Sequence, residues 1–202
     1  MKKLRLILLA LPLALAALGG MARAQQVSLS EISAYLNDLQ TAQGEFTQIN
    51  GDGTISTGTI YIKRPGRIRF EYDPPERSLV IAGGGSVAIF DPRSNTGPDQ
   101  YPLAQTPLSI ILARNVDLSR ARMVTGFTSD GTTTTVTAQD PDNPEYGTIQ
   151  LVFTANPVEL RQWIVTDEAA GQTTVILGDL TKGGQIGDNQ FNIQLAADRW
   201  NR

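Results

Sequence analysis

The alternation of apolar and polar residues divides the chain into a leader, two helical stretches and a long series of strands. Met1–Ala24 opens with Lys2, Lys3 and Arg5, continues as an apolar run from Leu6 to Leu18 broken by Pro12, and ends in Ala22-Arg23-Ala24. A basic start, a short apolar stretch and an Ala-x-Ala end mark a secretory signal peptide, here expected to be cleaved after Ala24. The run is shorter than the roughly 20 residues that cross a bilayer as a helix. The remainder, residues 25–202, is expected to be one exported domain.

From Ser28 to Gln40 the apolar Leu29, Ile32, Leu36 and Leu39 recur at spacings of three and four, one face of a helix. Ser28 and Glu31 fit a capping box, in which each side chain serves the other's backbone N–H. From Gly44 the period changes to two. Phe46 opens a strand, Asn50-Gly51-Asp52-Gly53 makes a turn, and Thr54–Lys63 is a second strand interrupted by Gly58. After Pro65-Gly66, Ile68, Phe70 and Tyr72 alternate with Arg67, Arg69 and Glu71, a strand with one apolar face. Ser78–Ala82 and Ser86–Phe90 form a hairpin about three glycines. A strand follows those glycines, which speaks against a phosphate-binding loop, since that needs a helix there. Asp91–Tyr101 reads as a polar loop. Thr106–Asn115 predicts a short helix with Thr106 as cap and Pro107 at its first position. Leu108, Ile110, Ile111 and Leu112 make it apolar on nearly every side, and a buried strand is the alternative. Strands are expected at Met123–Thr128, Thr132–Gln139, Thr148–Phe153, Leu160–Thr166, Thr173–Asp179 and Asn189–Gln194. About ten strands at such spacing predict a mainly β sandwich or barrel.

Composition narrows the chemistry. The chain has no cysteine and no histidine. Imidazole-based triads, Cys/His zinc sites and disulfides are therefore excluded, and no cofactor or metal is expected. The formal charge is −3, from 17 basic and 20 acidic residues; losing four basic leader residues leaves 13 against 20, or −7. Such a domain is a poor ligand for nucleic acid or anionic membranes. Asp140, Asp142 and Glu145 could offer oxygens to calcium, but they lack EF-hand spacing and read as a solvated loop. Scattered carboxylates could converge as in a glycosidase. Arg64 follows a strand and precedes a Pro-Gly turn. It is either a solvated strand-end arginine or a donor to a neighbouring helix's terminal carbonyls.

Several stretches carry a family pattern: Phe46-Thr47-Gln48, the run Tyr61-Ile62-Lys63-Arg64-Pro65-Gly66-Arg67-Ile68-Arg69-Phe70-Glu71-Tyr72, the hairpin Ser78–Pro92, and Thr106–Asn115. Over residues 28–115 the chain resembles the LolA family of periplasmic lipoprotein carriers. The resemblance implies an incomplete, half-open antiparallel β-barrel of about ten or eleven strands, with a lid of short helices over an apolar cavity. It implies that Arg64 latches the lid through backbone carbonyls near Leu112 and Ala113. It also implies that Phe46, Ile68, Phe70 and Tyr72, with Ile32, Leu36, Leu108 and Ile111 from the helices, face acyl chains. The implied partners are triacylated lipoproteins, an inner-membrane ABC-type release complex, and an outer-membrane acceptor, itself often a lipoprotein receptor. The implied protein is a soluble monomer of the periplasm that performs no catalysis. Lacking cysteine, the chain cannot carry an acylated N-terminal cysteine, so it fits the shuttle rather than an anchored receptor. Two other readings remain at this point. One is a lipid- or lipoprotein-sensing envelope-stress domain of the same shape. The other is a carboxylate-dependent periplasmic hydrolase.

Overall fold

The computed structural model describes residues 26–200 apart from 121 and 168. The leader expected at Met1–Ala24 lies outside the described residues. Helix α1 spans Leu29–Asp38. It is followed by β1 (Thr41–Ile49), β2 (Ile55–Lys63), β3 (Ile68–Tyr72), β4 (Leu79–Gly83), β5 (Ser86–Phe90) and β6 (Asp99–Pro102). After α2 (Leu108–Leu112) come β7 (Val124–Ser129), β8 (Thr133–Gln139), β9 (Thr148–Ala155), β10 (Val158–Thr166), β11 (Gln172–Leu177) and β12 (Thr181–Lys182), and α3 (Ile193–Trp200) ends the described chain.

The strands form a single twelve-stranded sheet in the order β6-β5-β4-β3-β2-β1-β11-β10-β9-β8-β7, with β12 pairing to β1. Every pairing is antiparallel. Its two ends, β6 and β7, do not pair with each other, so the sheet is an unclosed barrel. Strand β1 lies at the middle, with Phe46 opposite Gly58 on β2 and Leu177 on β11. Gly58 is more than an interruption of its strand. A Cβ there would stand 2.0 Å from the Glu71 carbonyl oxygen and 2.8 Å from the Phe46 ring, so only glycine leaves room for that ring.

The inner face, on which α1 and α2 lie, carries the main core. Ile60, Phe70, Val136, Leu151, Phe153 and Trp163 are buried there. At one end the sheet is covered on its other face too. Leu79, Ile81, Ala88 and Phe90 of β4 and β5 pack with Phe191 and α3, and the Phe90 and Trp200 rings stand 5.3 Å apart. Burial on both faces explains why these two strands read as nearly unbroken apolar runs.

Three local expectations are corrected, and one strand was not anticipated. Asn189–Gln194 is not a strand: Asp188–Phe191 is a 3₁₀ turn that leads into α3. Ile193, Ala196, Ala197 and Trp200 have helical spacing, and the Asn192 side chain accepts the Leu195 N–H at 2.9 Å, which favours the helical turn. The loop after Asp91 contains β6, whose residues are all exposed and so leave no apolar signature. Thr106 does not cap α2. Its hydroxyl donates to the Leu103 carbonyl at 2.9 Å, and no side chain caps the helix. The two-residue β12 is too short for any periodicity to reveal.

Candidate functional site

The two helices on the inner face, α1 and α2, are positioned by local chemistry at their ends and apolar burial along their length. Ser28 and Glu31 form the expected capping box: Ser28 Oγ accepts the Glu31 N–H, and Glu31 Oε2 accepts the Ser28 N–H at 2.8 Å. Ile32 and Leu36 then point from α1 into the core, and Tyr35 meets Phe153 edge-on at 5.9 Å. Ile110, Ile111 and Leu112 of α2 are buried, while Leu108 and Ala113 are half-buried.

All eight residues implied as acyl-facing fall within one apolar cluster. Ile32, Leu36, Phe46, Ile68, Phe70 and Ile111 are buried, and Tyr72 and Leu108 pack against them. Phe46 is the hub of an aromatic chain, with ring centres 5.2 Å from Phe70 and 5.0 Å from Tyr72; Phe70 in turn lies 6.1 Å from Trp163. These edge-on contacts suit the ring quadrupoles. Trp163, Phe153 and Leu151 belong to this surface as much as the eight do. They lie beyond the resembling stretch, and the only sign of them was strand alternation. Tyr72 donates its hydroxyl to Gln48 Oε1 at 2.6 Å, and burial pushes its pKa up to about 12 against the lowering effect of that bond.

Arg64 stands where β2 ends. Its backbone N–H donates to the Gln40 carbonyl at 2.8 Å, and its Nη2 donates to the Ala113 carbonyl just beyond α2 at 2.5 Å. The Leu112 carbonyl is held differently from the expectation: the Gly66 N–H, not the guanidinium, donates to it at 2.9 Å. A glycine at φ 71° in the Pro65-Gly66 turn carries that N–H past the strand end. Arg64 is only 5% exposed, and its Nε and Nη1 are buried with no partner among the described residues. Burial pushes the guanidinium pKa down, with no carboxylate opposing it.

A second set of bonds joins α1 to the segment after α2. Asn37 Nδ2 donates to the Val116 carbonyl at 2.8 Å, and Asn37 Oδ1 accepts the Val116 N–H at 2.9 Å. One turn earlier, Ser33 Oγ accepts the Leu118 N–H at 2.9 Å and donates to the Leu29 carbonyl at 2.7 Å. Neither residue was anticipated. The available sign was two small polar residues at i and i+4 beside an apolar stripe. A pocket of about 310 Å³ adjoins this junction, lined by Ser109, Ile110, Ala113, Val116, Met123 and Asp142 among others.

Asp140, considered above as a calcium ligand, and Asp167, at the turn between β10 and β11, each serve their own turn. Asp140 Oδ1 accepts the N–H groups of Asp142 and Asn143, and Asp167 Oδ1 accepts those of Ala169 and Gly171. Asp142 and Glu145 are exposed. Among the described residues, no group of three or more acidic side chains is arranged to hold a metal ion. No helix among them is long and apolar enough to cross a membrane.

Comparison with known proteins places these features in a lineage. A protein named outer-membrane lipoprotein carrier protein from Coxiella burnetii is 29% identical over 163 residues, covering 76% of this chain and 77% of its own. A protein of the same name from Cupriavidus taiwanensis is 28% identical over 197 residues, covering 92% of this chain and 88% of its own. Among solved structures, a LolA superfamily protein from Nitrosomonas europaea superposes with a TM-score of 0.44 at 10% identity, covering 82% of this chain and 98% of that one. The family profile described as "Outer membrane lipoprotein carrier protein LolA" matches residues 37–194, from the end of α1 into α3. The chain belongs to the LolA family of outer membrane lipoprotein carriers.

Proposed function

We propose that this protein is a soluble periplasmic carrier that holds the acyl chains of lipoproteins between the inner and outer membranes. The observation that carries the reading is a closed apolar face whose cover is tied down by one buried arginine, Arg64, at the Ala113 carbonyl. The relatives named lipoprotein carrier proteins support the cargo. Triacylated lipoproteins would be received from an inner-membrane ABC-type release complex and passed to an outer-membrane acceptor. The absence of cysteine from the sequence fits a shuttle that is not itself acylated.

The physical requirement is reversibility. Each methylene moved out of water contributes about 0.8 kcal/mol, so three acyl chains in an ideally shaped cavity would never leave. Here the same side chains that would greet a guest are already packed against one another, so loading replaces one set of apolar contacts by another and the net gain is small. A charge-assisted bond such as that from Arg64 is worth about 1.5–3 kcal/mol, enough to bias the lid towards closure without locking it. Arg64→Leu is therefore expected to keep the apolar face but lose the bias, taking up lipoprotein and failing to hand it on. The check is transfer from inner-membrane vesicles to outer-membrane vesicles. Wild-type rates of delivery by a folded Arg64→Leu protein would remove the latch from the mechanism.

A further inference from the structure

Arg64 has more donors than the lid uses. Its guanidinium is buried, one nitrogen serves the Ala113 carbonyl, and Nε with one N–H and Nη1 with two have no acceptor among the described residues. A buried polar group left without a partner is costly, and a buried cation more so. Pairing between this arginine and a carboxylate would ease the cost, yet among the described residues no carboxylate forms an ion pair with it. The closed form therefore retains an unspent demand for acceptor oxygens beside the apolar cluster that includes Leu112 and Ala113.

We propose that Arg64 is also a ligand subsite: its guanidinium exchanges the lid carbonyl for the acyl carbonyl oxygen of the guest. This rests on the carrier reading and deepens it. An aliphatic chain lodged in the apolar cluster satisfies nothing on Arg64. An aliphatic chain that ends in an ester, an amide or a carboxylate brings an acceptor with no competing donor at the carbonyl, and a planar fork of N–H groups suits it. Lifting α2 withdraws the Ala113 carbonyl and would strand the whole guanidinium; an acyl carbonyl arriving in its place removes that penalty. The acyl oxygen thus recovers part of what lifting α2 loses: loading is eased, while the closed, empty lid keeps the advantage that Arg64→Leu removes. A plain hydrocarbon cannot make the exchange.

The test uses the full mature chain with bis-ANS bound, displaced by methyl palmitate, by hexadecyl methyl ether, which lacks only the carbonyl oxygen, and by palmitate. The ester is expected to displace the dye at about tenfold lower concentration than the ether, the worth of one charge-assisted bond. In Arg64→Leu the ratio is expected to fall to about one, and in Arg64→Lys to keep an intermediate value. Palmitate binding more tightly than the ester assigns the subsite to a charged head; equal binding assigns it to the carbonyl alone. Equal affinity of the wild type for ester and ether overturns the proposal and leaves the carrier reading standing, as does an ester preference that survives in folded Arg64→Leu. Failure of all three to displace the dye overturns both.

Discussion

Tyr72 shows what burial does to a polar side chain that the inner face cannot avoid. Its ring packs on Phe46 while its hydroxyl reaches Gln48, and its pKa is raised to about 12. The folded protein therefore keeps a proton that the unfolded chain releases near pH 10. The stability this contributes is present below pH 10 and is lost as pH rises towards 12. Between pH 8 and pH 11 the wild type should lose about 1.4 kcal/mol more than Tyr72→Phe. Denaturant unfolding of both proteins at the two pH values measures this, and parallel losses would show that the hydroxyl is not buried as described. Tyr72 was legible from strict alternation along its strand, whereas the place of Arg64 between a strand and a Pro-Gly turn left two readings open and only the family resemblance aimed it at the end of α2. The division of labour at α2, with Gly66 rather than Arg64 holding the Leu112 carbonyl, was not legible. It depends on a backbone N–H, which every non-proline residue possesses.

Among the elements, side-chain to backbone bonds join α1 to the segment after α2. Asn37 and Ser33 lie one turn apart on α1 and bind the backbone of Val116 and Leu118, far along the chain. Arg64 and Gly66 hold the end of α2 from the other side, so the two helices are expected to move together. Asn37→Ala leaves two backbone groups of Val116 without partners, expected to cost about 1–3 kcal/mol. Hydrogen exchange should quicken at the Val116 amide and, with Ser33 untouched, at the Leu118 amide as well. Unchanged protection of Leu118 would mean that the two bonds open independently. Long-range side-chain to backbone bonds of this kind have no periodic trace. That is why both helices could be anticipated from their apolar stripes while the clasp between them could not.

Across the whole molecule, the sheet divides into an end buried on both faces and a remainder covered only within. The doubly buried end depends on α3, of which only Ile193 and Gln194 fell in the stretch read from sequence as a strand, a stretch too short to separate two periods. Trp200→Ala, which strips the cover from Phe90, should cost about 1–2 kcal/mol for a half-buried ring. It should leave displacement of bis-ANS from the inner face by methyl palmitate unchanged, because α3 sits on the opposite side of the sheet. A shifted displacement curve would show that the two faces communicate.

The unpaired ends β6 and β7 have a bearing on cargo size. The girth of a closed barrel is set by its strand number and stagger, so a larger guest can be admitted only by breaking ladder hydrogen bonds. A split ring has no such constraint. By uncurling slightly, with each strand keeping its neighbours, it can widen its bore a little at every strand pair. Guests of unequal bulk can then be gripped by the same set of side chains at nearly the same cost.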